Sequence, residues 1–516
     1  MKKYIAMIIA LFAVLIALSL LTDNGDVTTT TTVPSEETTE SETTEDKEED
    51  KITIGYFEQK SLNPYITDSP TNRNVASLVY DGLFVLDENY KPEPVIAQSS
   101  EIKDGKLTVY LCPDICFSSG SPLTPSDVVY SYNVAKQSSY YAPRLEIFTA
   151  AVSGTDCVVF SLANENAYAE SCLTFPIVQA GTAVNDIPTG SGRYVLESDE
   201  SGKHLTVNEN STRNEAMNTS SISLIPITSE KGELYMLQSG DLSYFYDDLS
   251  DSQYTKIGAN MLRVPLNNLV YLGIKSSSKF MSDKAVKKAV DLAIDKMTIA
   301  EAAYSGMCRA TDMPFNPDWY ALSPLQTSTH TFSTLKAAQT LEDAGYIYAY
   351  KHNKFRSKNF EFLEITMLVN EENENRVICA NHIHDSLENI GIDVRLSILP
   401  YEEYTEALYN GEFDIYLGEV KLPASMDLSC FFKENAAAGY GIDSGSTVAK
   451  AFTDFSQGKT DISTFIKVFD DSMPFIPICF RDGVAYYSRE ITFEGSVTEY
   501  EPFLNAYSWA LAASAQ

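Results

Sequence analysis

Histidine and tryptophan are scarce in this chain of 516 residues, with five of the first and two of the second. Positive charge is scarce as well: 38 Lys and Arg face 71 Asp and Glu, a formal charge of −33. A body so acidic repels polyanions, which excludes nucleic acid as a partner. His382 and His384 stand two apart, whereas two metal ligands on one helix face need a spacing of four. No double CxxC set for zinc occurs, and no Gly-x-Ser-x-Gly elbow; Gly190-Ser191-Gly192 is too short for one. Gly458-Lys459-Thr460 looks like the end of a phosphate loop, but Thr453 holds the place of its first glycine. No catalytic constellation, metal or cofactor is therefore expected.

What the chain does have starts at its N-terminus. Lys2 and Lys3 precede an apolar run over 4–21, the pattern of an export signal. Ala17-Leu18-Ser19 offers a cleavage site, yet the run approaches the ~17–25 residues of a spanning helix. Residues 1–22 are thus a signal peptide or an uncleaved anchor. Residues 23–51 hold eleven acidic and two basic residues, with Val27 and Val33 as their only aliphatic ones. A segment this poor in apolar surface is expected to be a disordered tether. Eight cysteines in an exported chain make disulfides an expectation, with the pairing left open.

Residues 52–56 alternate as a strand, and Asn63-Pro64 turns the chain. A helix is expected over 72–81, closed by Gly82. Short strands follow at 107–111 and 158–162, and the glycines at 190 and 192 suit a tight return of the chain. From Leu269 the texture changes. A strand over 270–274 leads to one long helix, capped by Ser282 and stopped by Gly306, then to a helix over 333–345. Strands over 363–369, 392–398 and 413–417 alternate with helices ended by Gly391 and Gly411. That alternation predicts a largely parallel sheet, a form that binds ligands beyond its carboxyl edge.

Ordered motif residues run through this frame: Leu62-Asn63-Pro64, Tyr80-Asp81-Gly82-Leu83, Pro94-Val95-Ile96-Ala97, then Phe117, Gly120, Pro122, Leu123, Thr124, Asp127 and Val128. The segments IPTGSGRY at 187–194, DKAVKKAVDLAIDKMTIAEAAYSG at 283–306 and MPFIPICF at 473–480 continue the series. Together they resemble the family 5 extracellular solute-binding proteins, receptors of oligopeptide and dipeptide ABC importers. The resemblance implies an α/β, two-lobed periplasmic-binding-protein-like fold of the large three-domain form, with a hinge and an inter-lobe ligand cleft. It divides the chain into 52–83, 185–266 and 480–516 as a first domain, 84–184 as a second and 267–479 as a third. Many relatives attach a lipid to an early cysteine; here no cysteine precedes Cys112.

The resemblance also carries ligand contacts onto particular residues. A turn after the first strand gives Asp68, Ser69 and Pro70. A Tyr-rich strand before the hinge gives Tyr246 and Asp247, with core packing as the alternative for the ring. The third element departs from the family pattern. Peptide receptors carry G-W-x-A-D-Y there, whose Asp pairs with the peptide ammonium. This chain reads GEVKLPASMD over 418–427, without the Trp and with Pro423 at the Asp position. Glu419 and Asp427 stand as substitutes. A buried ammonium without an anion costs several kcal/mol, so the alternative to a peptide is another solute: a sugar, a metal chelate or a modified peptide. The expected partners are that solute and an ABC permease in the membrane, or a sensor in its place, with the receptor itself a monomer. Closure about the hinge, with no covalent step, would be its mechanism.

Overall fold

The computed structural model describes residues 51–512 apart from 201, 214–216, 251–253, 323–331 and 358. The expected export signal over 1–22 lies outside the described residues, as does the tether up to residue 50. Among the described residues no helix is long and apolar enough to cross a membrane.

An eleven-stranded sheet organises the chain. Its middle is made by two long antiparallel strands, Asn260–Ile274 and Phe475–Tyr487. On one side of them lie Ile415–Lys421, Glu364–Asn370 and Asp393–Leu399; on the other lie Tyr244–Asp247, Ile52–Tyr56, Ser221–Pro226, Gly202–Val207 and Tyr194–Asp199. A separate four-stranded sheet joins Ala97–Lys103, Lys106–Leu111, Cys157–Leu162 and Phe148–Ser153. The expected largely parallel sheet is corrected to a mixed one. Glu364–Asn370 runs parallel to both its neighbours, but Ile415–Lys421 meets Asn260–Ile274 antiparallel. The reason is that the long strand arrives from the other end of the molecule rather than through a helical crossover.

The two long strands pass from one hydrophobic core to others. Val264 and Ala485 belong to a core built from 52–84, 96–183 and the C-terminal segment with Trp509. Further along, Val270, Leu272 and Ile274 point into a second core, while Leu269 and Tyr271 point into a third on the opposite face of the sheet. That alternation is the period of two of a strand covered on both faces. Between Pro265 and Leu269 the pairing register slips. Such an irregularity bends a strand locally, and here it falls where the chain leaves one core for the others.

Several expected elements change at their ends. The helix expected over 72–81 is Pro70–Ala76, begun by the Ser69 side chain accepting from the Asn72 N–H, with Pro70 in its first turn. It stops early because the carbonyls of Leu78 and Val79 accept from the N–H groups of Tyr194 and Gly192. The single helix expected up to Gly306 is two, Lys284–Ala293 and Lys296–Tyr304. Ile294 is extended, and Asp295 caps the second helix through the Thr298 N–H. Asp283, one residue after the expected Ser282, caps the first. Helix Tyr401–Asn410 ends at Gly411 in the left-handed region as expected. All eight cysteines are free thiols.

Gly190 and Gly192 answer to close approach, not to turn geometry. A Cβ on Gly192 would stand 2.4 Å from the Val79 carbonyl carbon and 2.8 Å from the Leu78 oxygen, both backbone atoms. Gly192→Ala is expected to destabilise the chain by about 1–3 kcal/mol, by overpacking. Equilibrium urea unfolding would check this, and an unchanged midpoint would refute it.

Candidate functional site

Five stretches distant in sequence converge beside the register slip. Helix Pro70–Ala76 carries Arg73, whose guanidinium carbon lies 3.7 Å from the centre of the Tyr140 ring. Arg144, in the short turn Pro143–Leu145, stands 4.7 Å from the same ring, 5.2 Å from Tyr141 and 5.6 Å from Tyr500. Its Nη1 donates to Thr174 Oγ1 at 3.2 Å. At the end of strand Ile415–Lys421, Lys421 Nζ lies 2.8 Å from Glu499 Oε2. The Asn267 N–H donates to the other Glu499 oxygen at 3.0 Å. Asn267 lies within the register slip, so the Glu499 carboxylate ties the C-terminal segment to the long strand.

Arg73, Tyr140, Arg144 and Tyr500 line a recess of about 40 Å³, together with Pro64, Ser77 and Glu501 among others. Tyr140 keeps 36% of its surface open and the Lys421 side chain 48%. Tyr140 lines the recess, so solvent reaches its ring through a concavity. Burial would raise the Tyr140 phenol, but Arg144, Lys421 and Arg73 outweigh it and hold the group below its ordinary value. Burial would lower the Lys421 ammonium, and the Glu499 carboxylate raises it instead. In a chain with so large an excess of acids, this concavity is lined by two guanidinium groups and several phenols, with Glu501 as a carboxylate among them.

The model of the bacterial extracellular solute-binding proteins, family 5 Middle, matches residues 91–427. The chain belongs to this family. The oligopeptide-binding protein AppA of Bacillus subtilis is 22% identical over 394 residues, covering 70% of this chain and 72% of AppA. In fold, the chain is similar to the periplasmic murein tripeptide-binding protein MppA in its unliganded open form. There the TM-score is 0.73 at 15% identity, covering 89% of this chain and 97% of MppA. It is similar also to NikA of Brucella suis in complex with Fe(III)-EDTA, with a TM-score of 0.65 at 17% identity over 88% and 98% of the two chains.

In this solute-binding protein the residues singled out from sequence lie at three places. Asp68 is exposed and pairs with Lys60 at 2.7 Å, Ser69 is a buried helix cap, and Pro70 opens that helix. From this turn it is Arg73, one helical turn on, that lines the recess. Tyr246 is half-buried; burial raises its phenol, helped by Asp248, Glu499 and Asp247, and Tyr140 is also among its neighbours. Asp247 Oδ1 accepts from the Leu249 N–H at 2.7 Å and closes the turn that ends the strand.

Glu419 accepts from Arg481 Nη1 at 2.8 Å and from Asn268 Nδ2 at 3.0 Å. Arg481 in turn donates to the carbonyls of Asp248 and Leu249, which brings Glu419 and the Asp247 turn into one network. Asp427 caps the short helix Ser429–Phe432 through the Ser429 N–H, and its charge acts on Cys172 and Cys430. Burial pushes the Cys172 thiol up to about 11 while it hydrogen-bonds with Ser425.

Sequence reasoning missed Arg73, Tyr140, Arg144, Tyr500 and the Lys421–Glu499 pair. A usable signal stood at 140–144, where two tyrosines precede Ala142-Pro143-Arg144 in a strongly acidic chain.

Proposed function

We propose that this family member is the extracytoplasmic receptor of an ABC importer. It captures a peptide or other small solute between its lobes and delivers it to a membrane permease. The observation that supports this reading is the recess lined by Arg73, Arg144, Glu501 and four tyrosines, next to the Glu499 carboxylate that ties the C-terminal segment to Asn267 of the long strand. In this reading 52–83, 185–266 and 480–516 form the first domain, 84–184 the second and 267–479 the closing lobe, with the receptor working as a monomer and without a covalent step. AppA is named for oligopeptides and NikA was solved with a metal chelate, so both cargo classes fall within the reading. The non-peptide alternative is favoured by one feature: the segment over 418–427 lacks the peptide receptors' Trp and Asp and carries Lys421.

A thermal-shift screen of the full chain over peptides, sugars and metal chelates tests the reading. A true ligand at a hundredfold its Kd should add about 2.7 kcal/mol of stability, growing with concentration. Flat melting temperatures across all three classes would remove the receptor assignment.

A further inference from the structure

One exposed hairpin breaks the acid excess of this chain. Residues 344–360 hold Lys351, Lys354, Arg356 and Lys358 and no acidic residue. The strands Ile347–Ala349 and Lys354–Arg356 pair antiparallel, with Tyr348 opposite Phe355. Phe355 is buried in the second core and Tyr348 packs against it. By the period of two, Ile347 and Ala349 then fall on the outer face, opposite Arg356 and Lys354 in the ladder. Tyr350, Lys351, His352 and Asn353 form the exposed tip. Tyr350 is 82% exposed, Phe360 67% and Ile347 48%. The His352 ring meets Phe362 at 5.2 Å, which joins the tip to the segment that carries Phe360.

Carboxylates answer one of these cations. Asp393 lies 2.5 Å from the Lys354 ammonium, and Glu388 and Glu364 act on the same group. Lys351, exposed at the tip, has no ion pair among the described residues. Open rings beside unbalanced cations are the chemistry that an anionic bilayer takes up: tyrosines settle at the headgroup level, and lysines and arginines are drawn to the lipid charge. The acidic body does not cancel this attraction, because charges more than about 8 Å away are screened at physiological salt. Rings and cations alternate along a single turn, an arrangement that a fluid interface accepts without matching its shape.

We propose that the hairpin over 347–360 docks on the surface of an anionic phospholipid bilayer and orients the folded body against the membrane. The proposal holds whatever the recess binds. A coil of the length of 23–51 spans roughly 30 Å. An anchor kept at 1–22 would therefore hold the body close enough for a weak contact to stay occupied.

Fluorescence of the full chain reconstituted into vesicles tests this. Tyr350→Trp puts a reporter at the tip, against a constant background from Trp319 and Trp509, both buried. The vesicles are phosphatidylcholine alone or with about 30% phosphatidylglycerol, each with and without a brominated phosphatidylcholine as quencher. An N-terminal helix in the membrane is common to every sample, so the differences read the hairpin. In the anionic vesicles bromine should cut the added emission about twofold or more, with little effect in the neutral ones. About 1 M NaCl, which shortens the screening length to about 3 Å, should restore the emission. Lys351→Glu should restore it in part, and Lys351→Glu with Arg356→Glu nearly in full. Lys459→Glu, at an exposed site four residues after Phe455 of the third core, should leave the quenching unchanged.

Equal quenching in neutral and anionic vesicles, or quenching that survives the charge reversals, would overturn the proposal. Emission that never meets the bromine would overturn it as well and leave the hairpin to a protein partner.

Discussion

Replacing Arg481 by Met is expected to cost the unliganded chain about 3–5 kcal/mol of stability, the range for breaking a buried ion pair from one side. Arg481 is 5% exposed and lies in Phe475–Tyr487, one of the two strands that link the cores. Its guanidinium satisfies Glu419 through Nη1 and the carbonyls of Asp248 and Leu249 through Nη2. Methionine fills much of the volume but leaves the Glu419 carboxylate, only 12% exposed, to the Asn268 amide as donor. It also strands two backbone acceptors at the turn after Tyr244–Asp247. Equilibrium urea unfolding measures the loss directly.

The double substitution Arg481→Met with Glu419→Leu should recover part of it, because a well-packed apolar pair replaces an orphaned charge. The same experiment decides what Glu419 is for. A carboxylate held ready for a ligand ammonium would be lost with little effect on the unliganded chain. A loss under about 1 kcal/mol for Arg481→Met would therefore count against the structural role given to the pair.

Local signals in this sequence were legible where a single interaction decides the backbone. Gly411 ends its helix because it alone accepts the left-handed conformation cheaply, at φ 68°. Ser333 begins its helix by accepting from the Lys336 N–H. The break at Ile294 was not legible, because the apolar spacing continues across it. The break goes with a contact that no local pattern shows: Lys296, fully buried at the start of the second helix, reaches Asp291 of the first at 3.2 Å and Asp312 beyond the second at 2.5 Å.

The recess was hidden for a related reason. Arg73, Arg144, Lys421 and Glu499 are spread over more than four hundred residues, and no spacing rule connects them. Motif positions such as Asp68-Ser69-Pro70 were visible because turns and caps leave local signatures, and in the structure Ser69 and Pro70 start a helix. A strongly acidic composition also draws attention away from a small group of cations.

Glu501 gives the remaining large effect, and it appears in the pH dependence of stability. Its carboxyl lines the same recess and is pushed up to about 7, first by burial and further by Asp81, against the lowering pull of Arg213, Arg193 and a hydrogen bond with Ser77. In the unfolded chain an ordinary glutamic acid titrates near 4.3. Below that value both states hold the proton and the group costs nothing. Between about 4.3 and 7 the folded state keeps a proton that the unfolded state has released, so stability falls as pH rises. Above about 7 the folded chain carries the full cost of a half-buried carboxylate, roughly 3 kcal/mol at most from a shift of this size. Glu501→Gln stays neutral throughout. It should match the parent chain near pH 4.5 and exceed it by up to about 3 kcal/mol at pH 8, read as urea midpoints across that range. Parallel curves would show that Glu501 titrates normally.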